Sequence, residues 1–317
     1  MVSLLILAYN EENFIKDCVE QYIEEFEEII IVNDCSKDST ERILLELKQN
    51  FDNINVITNN KNLGAGKSFQ IGIEYFLDTE SEFLIKIDGD NQFSKRDILK
   101  IKELGHNKKL DFIKCDRFWL NGIIGKIPKL RYFGNTFASF LVKLATGNWI
   151  INDPLNGLFF ISKKASKHIQ VPKTFYRYGY PFYLTVLFSK ISSINNLKLG
   201  QTTNTVSYSN ETSQLKPTVL LYKLLFFTIK SFFNKLKFKF RFSSLQIGAL
   251  LDLGFLLSFL LSFYSFIRLV LTRYFSFSGG QLGWFINTIF FFIVMLIVFY
   301  RSQVSESKFR EKYFKNY

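Results

Sequence analysis

Cysteine, histidine and proline are scarce in this sequence of 317 residues. It has three cysteines (Cys18, Cys35 and Cys115), two histidines and five prolines. An odd number of scattered cysteines excludes a disulfide-rich scaffold and favours a reducing compartment. The histidines, His106 and His168, have no metal-binding spacing. With only 17 glycines as well, the chain is neither collagen-like nor a low-complexity fibre.

Apolar residues are abundant, and the positive charge is concentrated near the C-terminus. The chain is 48% apolar and contains 37 phenylalanines, which excludes a disordered protein. Residues 219–317 carry 13 basic and three acidic side chains, and they supply +10 of the total net charge of +12. The same stretch holds the longest apolar runs. A soluble nucleic-acid-binding protein does not combine these features, so we expect a membrane protein with no nucleic-acid partner.

Two segments in the last third are predicted to span a membrane. Residues 282–300 contain no charged side chain, and about 20 apolar residues are enough to cross a bilayer. Residues 247–271 contain only Asp252 and Arg268 as charges, and we interpret Arg268 as reaching the interface. Asp252 is interpreted as an interfacial carboxylate, with contact to a neighbouring helix as the alternative. Two buried helices in a large soluble core are the alternative for the whole region.

The basic flanks predict the orientation of this anchor. Basic side chains precede the first span and follow the second, which places both termini and the N-terminal domain in the cytoplasm. We expect a bacterial cytoplasmic membrane, amphipathic helices that contact its anionic lipids, and a homo-oligomer as an open alternative to a monomer. The predicted segments are a folded domain (1–216), juxtamembrane amphipathic helices (217–245), a two-helix anchor joined by a turn at 276–283 (246–300) and a basic tail (301–317).

The first two thirds alternate between strand and helix patterns. Such alternation predicts a parallel sheet with helices on both faces, and ligands bind beyond the carboxyl ends of its strands. The predicted strands are Val2–Leu7, Glu27–Asn33, Asn55–Thr58 and Phe83–Ile87. The predicted helices are 11–25, 38–49 and 67–77. Polar segments follow the four strands: Tyr9–Glu12, Asn33–Asp38, Asn59–Gly66 and Asp88–Gln92.

A glycine-rich segment precedes the third helix. Gly66-Lys67-Ser68 has the ending of a phosphate-binding P-loop, but position 61 is lysine where that pattern needs glycine. We therefore interpret residues 62–66 as a turn before a helix N-terminus. Such a turn is able to face an anionic ligand.

The segment Asp88-Gly89-Asp90-Asn91-Gln92 concentrates the acidic chemistry. Two carboxylates at a strand end repel each other in a cleft, and a divalent cation resolves the repulsion. Hard oxygen ligands from Asp88, Asp90 and Gln92 suit Mg²⁺ or Mn²⁺, which would neutralise a substrate pyrophosphate. The alternative is a solvated turn, because a D-x-D triplet alone is a weak signal.

Four motifs in this order resemble the GT-A glycosyltransferases of family 2: LAYNEE, VNDCSKDST, NLGAG and DGDNQ. The DGDNQ form, the segment Asp116–Gly157 and the two C-terminal spans are similar to the polyisoprenyl-phosphate branch, which includes the dolichol-phosphate mannosyltransferases. The resemblance implies an α/β, Rossmann-like nucleotide-diphospho-sugar transferase domain, followed by amphipathic helices and two transmembrane helices.

The resemblance also implies roles for single residues. The residues implied to contact the nucleotide sugar are Tyr9, Glu11, Asp34, Asp88 and Gly89. Asp88, Asp90 and Gln92 would bind the metal, and Arg117, Arg131 and Lys216 would bind the phosphates of donor or acceptor. Asp153 and Asp90 would be catalytic. Non-functional alternatives are surface charges for Arg117 and Arg131, a turn cap for Asp153 and a loop cap for Asp34.

The implied reaction is an inverting transfer of a sugar from a nucleotide-diphosphate sugar to polyisoprenyl phosphate. A lipid monophosphate has a second pKa near 6 and is largely ionised at neutral pH, so it needs no strong general base. One alternative is transfer to a hydroxyl of a saccharide or lipid-linked glycan, which needs a base such as Asp153. The other is a catalytically inactive membrane scaffold.

Overall fold

The computed structural model describes residues 1–118, 123–124, 129–149, 151–192, 194–207, 217–241, 246–274 and 280–314. The chain forms two compact units, Met1–Thr228 and Ile229–Tyr317. The first is an α/β domain and the second is helical.

Nine strands are described, all in the first unit. They are β1 (Val2–Ala8), β2 (Glu28–Asn33), β3 (Ile54–Thr58), β4 (Phe83–Asp88), β5 (Phe112–Asp116), β6 (Ile123–Ile124), β7 (Phe159–Ser162), β8 (Leu199–Thr203) and β9 (Val206–Ser207). Seven of them form one sheet in the order β3-β2-β1-β4-β7-β5-β8, and β6 pairs with β9. The four strands predicted from the sequence are confirmed to within one residue at each end.

Helices cover both faces of this sheet, as predicted. They are α1 (Ile15–Glu20), α2 (Thr40–Asn50), α3 (Ala65–Asp78), α4 (Lys95–Lys108), α5 (Lys129–Thr146), α6 (Lys163–Ser166), α7 (Tyr180–Ile191) and the first part of α8 (Pro217–Arg241). The helix predicted over 11–25 is limited to α1. Asp38 assists the start of α2, because its Oδ1 accepts a hydrogen bond from the Thr40 N–H at 3.0 Å.

The strands at the centre of the sheet are mostly apolar because both faces of the sheet are covered. In β1, Leu5 and Leu7 point into one core, whereas Leu4 and Ile6 point into the other, as the two-residue period of a strand requires. Burying each such side chain contributes about 1.5–3 kcal/mol. Because a core covers each face of the sheet, the polar segments lie at the ends of the strands.

The four predicted strands are parallel to one another, as expected, whereas β7, which was not predicted, breaks the parallel pattern. β7 runs antiparallel to both of its neighbours, β4 and β5. The chain enters β7 from a loop at the carboxyl edge of β4, so this strand has to run back down the sheet. As a result, the loop at 153–157 lies beside the acidic end of β4.

The second unit consists of helices with outward-facing apolar side chains. After the end of α8 come α9 (Gln246–Tyr274) and α10 (Gln281–Phe314). Their segments Ile247–Tyr274 and Gln281–Val304 have the length and composition to cross a membrane, and their most apolar 18-residue windows have mean hydropathies of 1.9 and 2.5. No residue of the most apolar window of α10 is buried, which disagrees with the alternative of a soluble core. Residues 276–279 of the turn predicted at 276–283 fall outside the described residues, and α10 begins at Gln281.

Asp252 is buried among three helical segments of the second unit. Its carboxylate accepts hydrogen bonds from Lys239 Nζ at 2.8 Å and Ser302 Oγ at 2.5 Å. Lys235 Nζ lies 3.4 Å away. The interpretation of Asp252 as an interfacial carboxylate is therefore replaced by the alternative, a contact between helices.

Candidate active site

Loops after β1 and β2 are joined by hydrogen bonds at the carboxyl edge of the sheet. The Asn10 N–H donates to Ser36 Oγ at 3.0 Å, and the Glu11 N–H donates to Thr40 Oγ1 at 2.8 Å. Tyr9 and Glu11 are half-buried here. The structure thus places Tyr9 and Glu11, two of the residues predicted to contact the nucleotide sugar, at the carboxyl edge of the sheet.

Asp34 holds the loop after β3. Its Oδ1 accepts from Asn59 Nδ2 and the Leu63 N–H, each at 2.8 Å, and its Oδ2 accepts from the Gly64 N–H at 2.7 Å. The side chain is buried. These contacts match the loop-cap alternative, so any effect of Asp34 on a nucleotide would act through the position of this loop.

The N-terminus of α3 is occupied by the chain itself. The Gly66 and Lys67 N–H groups donate to the Tyr176 carbonyl oxygen at 2.6 and 3.1 Å. A Cβ on Gly66 would lie 2.1 Å from the Phe175 carbonyl oxygen, so only glycine fits this approach. The prediction that this turn faces an anionic ligand is therefore not supported by the described geometry.

Asp88 ends β4 and is paired with a lysine of the same strand. Lys86 Nζ lies 2.5 Å from Asp88 Oδ1, and the two side chains are 1% and 38% exposed. On the other side, a Cβ on Gly157 would lie 2.3 Å from Asp88 Oδ2. Asp88 is thus held between β4 and the loop before β7.

Asp90 and Gln92 follow on the same loop. The Gly89 N–H donates to the Leu7 carbonyl oxygen at 2.9 Å, which attaches the loop to β1. The Gln92 N–H donates to Asp90 Oδ1 at 3.2 Å. Among the described side chains, no three His, Cys, Asp or Glu residues gather as a metal cage. Two carboxylates and an amide nevertheless suit Mg²⁺ or Mn²⁺ that is also bound by substrate phosphates.

Arg117 and Asp153 form a buried ion pair. Arg117 Nε and Nη2 each donate to one oxygen of Asp153 at 2.7 Å, and the Arg117 N–H donates to Oδ2 at 3.2 Å. Asp153 is fully buried and has a left-handed backbone with φ of 45°. Both oxygens of the Asp153 carboxylate are thus bound by Arg117, and the catalytic role of Asp153 stays a prediction.

Two predicted phosphate contacts are not placed by the structure. Arg131 belongs to α5, but its side chain lies outside the described residues. Lys216 is outside them altogether. Their assignment stays a prediction.

Two buried lysines were missed by the sequence reasoning. Lys114 is fully buried in β5, and its Nζ donates to the Asn156 carbonyl oxygen. Burial lowers the pKa of Lys114 to about 7. The sequence shows one lysine in each of two otherwise apolar strands, Lys86 in FLIKID and Lys114 in FIKCD. A charge at such a position is costly unless it has a partner.

Comparison with known proteins gives the family. Residues 3–169, more than half of the chain, match the profile described as glycosyl transferase family 2. The chain belongs to this family. The resemblance inferred from the four motifs is thereby confirmed, and the chain is a glycosyltransferase of family 2.

Similar proteins include transferases with lipid phosphates in their names. The UDP-N-acetylglucosamine–dolichyl-phosphate N-acetylglucosaminyltransferase of Methanococcus voltae is 27% identical over 180 residues, which cover 53% of this chain and 71% of that protein. The dolichyl-phosphate beta-glucosyltransferase ALG5D of Trichomonas vaginalis is 31% identical over 123 residues, covering 34% and 37%. The match thus spans little more than a third of ALG5D.

A solved structure confirms the fold. Glucosyl-3-phosphoglycerate synthase from Mycobacterium tuberculosis, in complex with Mn²⁺, UDP and glucosyl-3-phosphoglycerate, superposes with a TM-score of 0.51 at 16% identity. The match covers 73% of this chain and 78% of that one. At this identity the similarity shows the GT-A-like fold alone.

Proposed function

We propose that this family 2 glycosyltransferase moves a sugar from a nucleotide-diphosphate sugar to polyisoprenyl phosphate at a membrane surface. The observation that carries the acceptor class is the Arg117–Asp153 pair. A hydroxyl acceptor needs a base, and the most buried acid near the edge is already bound by Arg117 through both oxygens. A phosphate acceptor arrives ionised and needs only to be positioned.

The donor would bind along the edge formed by Tyr9, Glu11 and the Asp88–Gln92 loop. Asp90, Gln92 and Asp88 Oδ2 would hold Mg²⁺ or Mn²⁺ together with the donor diphosphate. Asp88 Oδ1 is the oxygen that Lys86 contacts. When bound, this ion would stabilise the departing nucleotide diphosphate. The presence of Mn²⁺ and UDP in the structure of the M. tuberculosis enzyme supports a divalent cation and a nucleotide donor.

The membrane part of the proposal rests on α9 and α10. Two helices of this length and hydropathy would anchor the chain in the bilayer that contains a polyisoprenyl acceptor. The basic flanks favour a cytoplasmic catalytic domain. The names of the M. voltae and T. vaginalis relatives support a lipid-phosphate acceptor.

A transfer assay tests the proposal. The full chain in detergent micelles is incubated with Mn²⁺ or Mg²⁺, polyprenyl phosphate and a panel of radiolabelled nucleotide sugars. We expect a labelled product that partitions into chloroform, requires the metal, and falls by about 10²–10³-fold in Asp90→Asn. Asp52→Asn is the matched control, because Asp52 is an exposed acid between α2 and β3.

Other outcomes would favour the alternatives. Nucleotide binding without transfer to polyprenyl phosphate would favour a saccharide hydroxyl as acceptor. If the chain neither binds a nucleotide nor transfers a sugar, the scaffold alternative replaces the proposal.

A further inference from the structure

Two buried lysines and a phenylalanine form a row across the centre of the sheet. Phe159 of β7 pairs with Lys86 of β4 on one side and with Lys114 of β5 on the other. Residues paired across neighbouring strands point to the same face. All three side chains are at most 1% exposed. Two lysine side chains therefore lie in the interior of one core, where an uncompensated charge is costly.

The two lysines differ in what they bind. Lys86 Nζ contacts the Asp88 carboxylate at 2.5 Å and lies 5.5 Å from the centre of the Tyr180 ring. Lys114 Nζ donates to a backbone carbonyl, that of Asn156, and lies 5.3 Å from the Phe159 ring centre. Of these two lysines, Lys86 is the one that contacts a residue of the DGDNQ segment, Asp88.

Each carboxylate oxygen of Asp88 has a close neighbour. Its Oδ1 is bound by Lys86, and its Oδ2 lies where a side chain at Gly157 would stand. The Tyr180 ring, which stacks on Phe69 with ring centres 5.0 Å apart, packs beside the Lys86 ammonium group. The side chains of Lys86, Tyr180 and Phe69 beneath the acidic loop are all buried.

We infer that Lys86 is a positioning residue for the donor site. Its ammonium group fixes the orientation of the Asp88 carboxylate and compensates the charge that Asp88 and Asp90 place at one edge. The inference deepens the proposed function and rests on it, because the donor site is the one that the proposal assigns. Lys86 acts through Asp88 and does not touch the substrate.

A double-mutant cycle tests whether Lys86 acts through Asp88. Affinities for UDP and GDP are measured by calorimetry at saturating Mn²⁺ with the full chain in micelles, for the unmodified protein, Lys86→Met, Asp88→Asn and the double variant. We expect Lys86→Met to weaken binding of the preferred nucleotide at least tenfold, and to change it less than twofold when Asp88 is already Asn.

Lys114→Met is the matched control. It removes the other lysine of the same buried row, whose Nζ donates to the Asn156 carbonyl oxygen and not to an acid of the donor loop. We expect it to change nucleotide affinity less than threefold. Thermal unfolding of all five proteins shows whether each variant folds, and the Lys86–Asp88 pair should give a non-additive shift in Tm of about 2 °C or more.

The outcomes separate this inference from the proposed function. An equal loss of affinity from Lys86→Met in both backgrounds, or an equal loss in Lys114→Met, would overturn the positioning role. If the unmodified chain binds neither UDP nor GDP, the proposed function fails. In that case the Tm values of the double-mutant cycle test the contact between Lys86 and Asp88. Additive shifts in Tm would overturn that contact as well.

Discussion

The two units of the chain use phenylalanine and buried charge in opposite ways. In the α/β unit, Phe69 and Phe159 are fully buried, whereas Phe285 and Phe290 in α10 are at least half exposed. Two ion pairs of the α/β unit with a buried partner, Lys86–Asp88 and Arg117–Asp153, lie at the edge that carries the candidate site. The buried charge of the helical unit, around Asp252, joins helices to one another.

This contrast indicates what each buried charge is for. A buried ion pair is weak evidence for stability, because desolvation offsets much of its attraction. In the α/β unit the pairs hold Asp88 and Arg117 in fixed orientations, which is valuable at a site that must be organised before its ligand binds. In the helical unit the same kind of pair sets helix packing. Removing a partner should therefore affect function in one unit and only stability in the other.

The largest effect is expected for the Arg117–Asp153 pair. Asp153→Ala leaves a mostly buried guanidinium without its carboxylate, which should cost about 3–5 kcal/mol of stability and most of the transfer activity. Arg117→Ala and the double variant should lose a similar amount of activity, because the two residues act as one unit. Transfer by the folded fraction is the measurement. High activity in Arg117→Ala with none in Asp153→Ala would instead identify Asp153 as a base.

A similar loss of stability, without loss of function, is expected at Asp252. Asp252→Ala leaves Lys235 and Lys239 buried near each other and should lower stability by about 3 kcal/mol. Thermal unfolding in micelles measures this change. Transfer per folded molecule should stay within about twofold of the unmodified chain, and a larger loss would contradict the division of roles between the units.

The pH dependence of stability should reveal Lys114. Burial lowers its pKa to about 7, so between pH 7 and about 10 the unfolded chain binds more protons at this position than the folded chain. Stability should therefore rise with pH over this range, by at most about 1.4 kcal/mol per unit. Denaturant unfolding at several pH values should show a shallower rise in Lys114→Met. Equal slopes would mean that Lys114 is charged in the folded protein.

The smallest effect is expected from a helix glycine. Gly134 lies inside α5, and a Cβ there would meet nothing within 4 Å. Gly134→Ala should stabilise the domain by about 0.5–1 kcal/mol with transfer unchanged. Gly66→Ala, where a carbonyl oxygen stands 2.1 Å from the new Cβ, should destabilise it. Loss of stability in Gly134→Ala would show that α5 packs against a further surface.

Local pattern was enough to predict the first four strands and the edge at which their polar residues gather. It could not predict β7, because the direction of that strand depends on a long-range return of the chain. The sequence also did not show which side chains contact one another. Asp153 is recognisable as an acid near Pro154, but its bidentate contact with Arg117 links positions 36 residues apart. The lysines in β4 and β5 were visible, yet only the register with Phe159 shows that they form one row.

The close approach of Gly157 to Asp88 has a consequence for engineering this protein. A loop that leaves no space for a methyl group beside a carboxylate cannot be varied independently of that carboxylate. Attempts to change acceptor preference through residues 153–157 should alter donor affinity in the same clones. Libraries directed at this loop should therefore be screened for both substrates at once, with Asp88 and Lys86 kept constant.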